Sequence, residues 1–208
     1  MATAPALKPV AAPISGAANS QGKVGPNAVT QVAAALRAFG GEDLAARVFT
    51  AAGLEQILAA PPEKMVDQGL AACLHDALRR ALPAQEATQI AAEAGRRTAD
   101  YLLAHRIPRP AQVVMKLLPA RLAAPILLKA MAANAWTYAG TGSVRTTRGK
   151  TCVLEIIDNP LAQPDCPWHV AVFERLFRAL VAKNAQVTHV AQSDRGALVN
   201  RFEIRLGR

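Results

Sequence analysis

The spacing of apolar residues changes once along this chain, from helical to alternating. Residues 1–25 precede any period. Ala, Pro, Gly and Ser dominate there, and a flexible leader is expected. Helical spacing begins with Val29, Val32, Leu36 and Phe39 on one face, and Gly40–Gly41 should stop that helix. A second short helix is expected over 42–53. The next starts after Pro61–Pro62 and ends at Pro83. Its predicted apolar stripe is Val66, Leu70, Cys73, Leu74, Ala77, Leu78 and Ala81. That leaves Asp76, Arg79, Arg80 and a solvated His75 mainly outside it. Ile90, Ala94, Tyr101 and Leu102 share a face of a further helix, with His105 near its end, and Pro108 and Pro110 break it. Two more helical segments are expected, over 111–119 and 121–136.

Glycines and β-branched residues then take over. A turn and a strand are expected over 138–149, and a stronger strand over 150–158, stopped by Asn159–Pro160. The stretch "DCPWHVAVFERLFRAL", 165–180, returns to helical spacing. Val187, with His189 or Val190, and then Val199, Phe202 and Ile204 alternate across a turn at Arg195–Gly196, which predicts a closing hairpin. The order places helices first and a small antiparallel sheet last, with one helix inserted in the sheet. The predicted fold is therefore α+β, a helical layer packed on the sheet. The expected organisation is a leader over 1–25 and a single domain over 26–208.

Composition refines this picture. Hydrophobic residues make up 51% of the chain but aromatics only 4%, and Ala is abundant, which suits closely packed helices. Net charge is +9, yet the cations are spread along the chain without interleaved aromatics, so a nucleic-acid partner is not expected. Three cysteines without a CxxC pair point to a reducing, cytoplasmic setting. No cationic start leads into an apolar core, so no signal peptide is expected. The most apolar segment carries Pro125 and Lys129 and is too short for a transmembrane span.

Candidate chemistry concentrates at 166–169. At helical spacing His169 falls in the middle of the arc of Val170, Phe173, Leu176, Phe177 and Leu180, with Glu174, Arg175 and Arg178 opposite. A histidine there is either a core residue bonded to a backbone carbonyl or a ligand contact. Cys166 precedes Pro167 at the first helical turn, where the positive helix end should lower its pKa. It is a candidate ligand or reactive thiol, or simply a residue of the cap. Trp168 either lines a pocket or covers the core. Trp136 and Tyr138 flank the change from helices to sheet, where a crevice is expected. His105 sits where a helix dipole favours a charged imidazole. Arg145, Arg148, Arg195 and Arg201 are candidates to meet the carboxylates of an anionic ligand. No GxGxxG, Walker loop, HExxH or GxSxG occurs, so no cofactor site is evident.

Five segments, in order, carry a resemblance: "HRIP", "AWTYAGTGS", "DNPL", "CPWHVAVFERLFRALV" and "RFEI". From about residue 25 onward the chain resembles the vinyl-reductase (4-vinyl reductase) domain family of bacteriochlorophyll biosynthesis. The resemblance implies a small-ligand-binding α+β fold and a magnesium porphyrin or chlorophyllide-type ligand. It implies either a carrier or accessory factor for that tetrapyrrole, or an 8-vinyl reductase of divinyl (proto)chlorophyllide using NADPH. A third alternative is a scaffold docking on an enzyme of the pathway. The expected setting is cytoplasmic, with peripheral attachment to the photosynthetic membrane as the alternative. In this picture the pocket lies between the helical layer and the sheet. His169 meets the metal or a ring substituent, Trp136, Tyr138 and Trp168 offer flat apolar surface, and Arg145 meets propionates. Related sensor domains hold zinc with Cys and Glu. The corresponding positions here fall near His189, Gln192 and Asn200, and Gln and Asn are poor zinc ligands. No intrinsic metal is expected, with Cys166 and His189 the one remaining pair.

Overall fold

Helix α1, Asn27–Ala52, breaks where its two adjacent glycines fall. Gly40 and Gly41 leave helical geometry, and Gly41 has φ of 73°, which only glycine adopts at little cost. The break separates the two helical stretches expected there. The structure, a computed structural model, describes residues 22–149, 151–194 and 196–207. The expected leader therefore lies outside the described residues up to position 21. Its last residues are ordered: strand β1, Lys23–Val24, pairs antiparallel with β2, Val66–Asp67, and Val24 is buried.

After α1 come α2, Glu55–Ala59, and α3, Gln68–Ala81. Asp67 caps α3 by accepting from the Gly69 N–H at 2.8 Å. The buried face of α3 is Gln68, Ala71, Leu74, His75, Ala77 and Leu78. This corrects the predicted stripe. Cys73, Leu70 and Ala81 are exposed, and His75, expected in solvent, is 3% exposed. The face 71/74/75/78 has ideal helical spacing. Treating Cys73 as apolar had turned the helix too far. Phe39, expected inward, is also half exposed.

Helix α4, Ala84–His105, runs between Pro83 and the break at Pro108. Helices α5, Arg109–Leu117, and α6, Ala120–Ala133, follow, with the short α7, Trp136–Ala139. The sheet comprises β3, Ser143–Thr147, β4, Cys152–Ile157, β5, Ala185–Asp194, and β6, Ala197–Leu206. All its pairings are antiparallel, in the order β3-β4-β6-β5. Helix α8, Pro167–Leu180, enters between β4 and β5. The mixed architecture is the predicted one. Of the two inward candidates on β5, His189 is the partly buried one and Val190 is exposed.

Helix α8 joins the layers. Its apolar arc includes Phe173, Leu176, Phe177 and Leu180, all buried, and α8 packs against both α4 and β5. Against α4 the approach is unusually close. A Cβ at Gly95 would collide with the Trp168 carbonyl oxygen and lie 2.8 Å from the Ala171 Cβ. Among the described residues no helix is long and apolar enough to cross a membrane.

Candidate functional site

The loop from 158 to 166 delivers α8 through two consecutive residues of positive φ, Asp165 at 61° and Cys166 at 40°. Asn159 holds the loop by accepting from the Leu161 N–H at 3.0 Å. Cys166 is 1% exposed, and its single thiol proton has two acceptors within reach, Asn200 Oδ1 at 2.8 Å and the Gln163 carbonyl at 3.2 Å. Burial pushes the thiol up to about 11. The lowered pKa expected from the helix end is overturned. Loss of water outweighs the dipole, and the thiol acts as a protonated donor in the cap region.

One turn on, His169 is 1% exposed. Its Nε2 lies 3.2 Å from the Tyr138 carbonyl. A carbonyl only accepts, so Nε2 carries the proton and donates. Burial, reinforced by His75 and His189, lowers the imidazole to about 3 against an ordinary 6.5. It is neutral at physiological pH. His75 bonds the Ala28 carbonyl at 3.1 Å, and burial lowers its pKa too. Rings connect these groups in a row: His75 to Trp168 at 5.9 Å, Trp168 to His169 at 4.9 Å, His169 to Phe202 at 5.8 Å and Phe202 to His189 at 5.1 Å. Two polar atoms of the row, Trp168 Nε1 and His189 Nε2, are buried without a hydrogen-bond partner among the described residues.

A cavity of about 20 Å³ lies beside this row. Its lining includes His75, Leu78, Ala91, Leu161, Trp168 and His169, so α3, α4, the 158–166 loop and the start of α8 all contribute. It lies among helices, not against the sheet. At the rim Arg79 donates to Gln163 at 3.2 Å, and Gln163 donates to Asp76 at 2.7 Å. Thr88 and Pro167 line both this cavity and a neighbouring surface groove of about 350 Å³ between α4 and α8. Ala92, Val170 and Ala171 line the groove, along with Arg96, Arg175 and Arg178, each of which has a carboxylate partner.

The structure thus brings Cys166, Trp168 and His169 together. Tyr138 is buried beside them, its hydroxyl donating to the Met131 carbonyl at 3.1 Å and its own carbonyl accepting from His169. Trp136 is 53% exposed and lines neither cavity nor groove. Arg145 is exposed on β3, 3.8 Å from Asp194. Arg201 is paired with Glu155 and Glu203, and Arg195 lies outside the described residues. His105 is exposed against the Tyr101 ring. Among the described residues no three of His, Cys, Asp and Glu converge on a metal position. The sequence reading missed the burial of His75 and the roles of Arg79 and Gln163, and weighed Asn200 only as a poor zinc ligand, not as the acceptor for Cys166. For His75 the 71/74/75/78 spacing was the available signal. The other three are polar residues that only the tertiary fold places.

No protein-family model matches the chain. Two curated relatives do, each a bacteriochlorophyll synthase 23 kDa chain. That of Cereibacter sphaeroides is 39% identical over 188 residues, spanning 88% of this chain and 90% of the relative. That of Rhodobacter capsulatus is 34% identical over 174 residues, spanning 81% and 80%. Among solved structures, an H-NOX domain studied for its heme distortion superposes with a TM-score of 0.61 at 12% identity, covering 88% of this chain and 95% of that one. A variant H-NOX of T. tengcongensis gives 0.58 at 12% identity, covering 88% and 97%. At such identity these structures share the fold alone.

Proposed function

The chain belongs to the family of the bacteriochlorophyll synthase 23 kDa chain, BchJ, and from that premise we propose that it serves bacteriochlorophyll biosynthesis by binding a magnesium tetrapyrrole intermediate as a carrier or accessory factor. The relatives' identity over most of both chains carries the biosynthetic role. The finer reading draws support from the region around Trp168. A buried indole N–H without a partner among the described residues, flanked by neutral imidazoles and beside a cavity, suits an acceptor on a ligand. The fold shared with H-NOX domains, one of them described for its heme distortion, is compatible with a flat macrocycle.

Size sets a condition on this reading. Ligand pockets run to roughly 300–1,000 Å³, and the cavity holds about 20 Å³. A tetrapyrrole therefore requires the cavity to open into the adjoining groove, across Thr88 and Pro167. Arg79 and the groove arginines would then meet its anionic edge. One binding domain, formed by the residues after the leader, is sufficient for this. His169 contributes by holding the start of α8 in place and offering a neutral imidazole to the ligand.

The test is an absorbance titration of the full chain with divinyl and monovinyl magnesium porphyrins. The expected result is a saturable Soret-band shift with no change in vinyl content when NADPH is added. Thr88 is exposed and lines both spaces, so Thr88→Trp should weaken binding by tenfold or more without disturbing the core. An unchanged titration in Thr88→Trp would sink this site. Conversion of divinyl to monovinyl pigment would establish a reductase instead. No shift with either pigment would remove the tetrapyrrole reading and leave a scaffold.

A further inference from the structure

No Asp or Glu occurs between Asp100 and Glu155. Within that stretch Arg106, Arg109, Lys116, Arg121 and Lys129 are exposed. None of the five has a carboxylate partner among the described residues; Arg145, further along the stretch, lies 3.8 Å from Asp194. The same stretch exposes large apolar side chains: Val113 at 55%, Val114 at 56%, Leu117 at 80%, Leu122 at 50%, Ile126 at 49% and Trp136 at 53%. Helix α5 buries only Met115. Among the described residues nothing covers its Val113, Val114 and Leu117.

The two features interleave. On α5, Arg109, Val113, Lys116 and Leu117 fall at helical spacing on one face, and on α6 Leu122, Ile126 and Lys129 do the same. Only Leu118 and Pro119 separate the helices. An acidic protein partner would satisfy the cations but leave the apolar residues between them without a match. A lipid surface matches both at once. The apolar side chains enter the acyl boundary, the Lys and Arg stems lie alongside, and the charged heads stay among phosphates. The absence of carboxylates removes the repulsion that an anionic bilayer would otherwise exert. A half-exposed tryptophan just beyond α6 fits the same boundary layer.

We propose that the α5–α6 face docks the protein peripherally on an anionic lipid bilayer. The inference is independent of the tetrapyrrole reading, since none of these residues lines the cavity or the groove.

The experiment is flotation of the full chain with vesicles of phosphatidylcholine alone and of phosphatidylcholine mixed with phosphatidylglycerol. Binding is expected only with phosphatidylglycerol present, and should weaken as salt rises. Each cation near such a surface is worth about fivefold in partitioning. Lys116→Glu with Arg121→Glu should therefore lower binding by well over tenfold, while Arg47→Glu on α1 leaves binding nearly unchanged. Leu117→Ser, at an exposed position, should also weaken it with an unaltered circular dichroism spectrum. Trp136 emission should move to the blue on binding, and Trp136→Phe should abolish the shift. Failure to float with phosphatidylglycerol vesicles would overturn the proposal. So would equal loss from Arg47→Glu, or a wild-type dimer that Leu117→Ser dissociates, which would give the face to a second copy of the chain.

Discussion

Cys166 and His169 stand three residues apart, and burial moves them in opposite directions. The thiol rises to about 11 and the imidazole falls to about 3, because in each case the uncharged form is the one that tolerates loss of water. Reactivity follows. Only Cys73 is exposed; Cys152 and Cys166 are buried, and burial raises both thiols. A thiol-specific reagent at neutral pH should label Cys73 first, at least tenfold faster than either other cysteine. Peptide mass mapping over time would show it, and early labelling of Cys166 would contradict its position in the cap. The sequence placed His169 correctly, because an imidazole inside an arc of Val170, Phe173 and Phe177 has one direction to face. It misplaced the charge on Cys166, because helix polarity can be read from sequence and burial by the 158–166 loop cannot.

At the level of elements, the crossing of α4 and α8 rests on one missing side chain. Gly95 lets the helices meet at the Trp168 carbonyl, and backbone cannot give way as a flexible side chain can. Gly95→Ala should destabilise the protein by about 2 kcal/mol despite its higher helix propensity, since overpacking of this kind costs about 1–3 kcal/mol. A urea melt at neutral pH measures this, and a neutral or stabilising result would mean the helices can part easily. The elements were largely legible beforehand. Paired prolines, the Gly40–Gly41 break and the alternation around Phe202 and Ile204 are local signals. Strand β1 was not legible, because two residues carry no period. They form a strand only because Val66 and Asp67 lie beside them. The α3 face was read about one residue out of phase, because Cys73 counts as apolar in a pattern while standing in solvent in the fold.

For the whole molecule, buried imidazoles tie stability to pH. An unfolded histidine takes its proton near pH 6.5, whereas folded His169 takes it near 3. Between these values the unfolded chain binds the extra proton, so acid favours unfolding. The stability is fully present above pH 6.5 and falls by about 1.4 kcal/mol per pH unit as pH drops toward 3. His75 adds to the loss in the same direction. Urea midpoints for wild type and His169→Gln at pH 7 and pH 5 should differ in slope by about one proton, and equal slopes would refute the assignment. The α4–α8 crossing also governs the order of events during synthesis. Helix α4 leaves the ribosome complete at His105 with α1 already made to pack on one side of it, but its other main partner, α8, begins only at Pro167. At about 5–20 residues per second, the side of α4 around Gly95 that meets α8 waits several seconds for its partner. Through that interval the nascent chain presents an uncovered apolar surface, and a chaperone would have that long to find it.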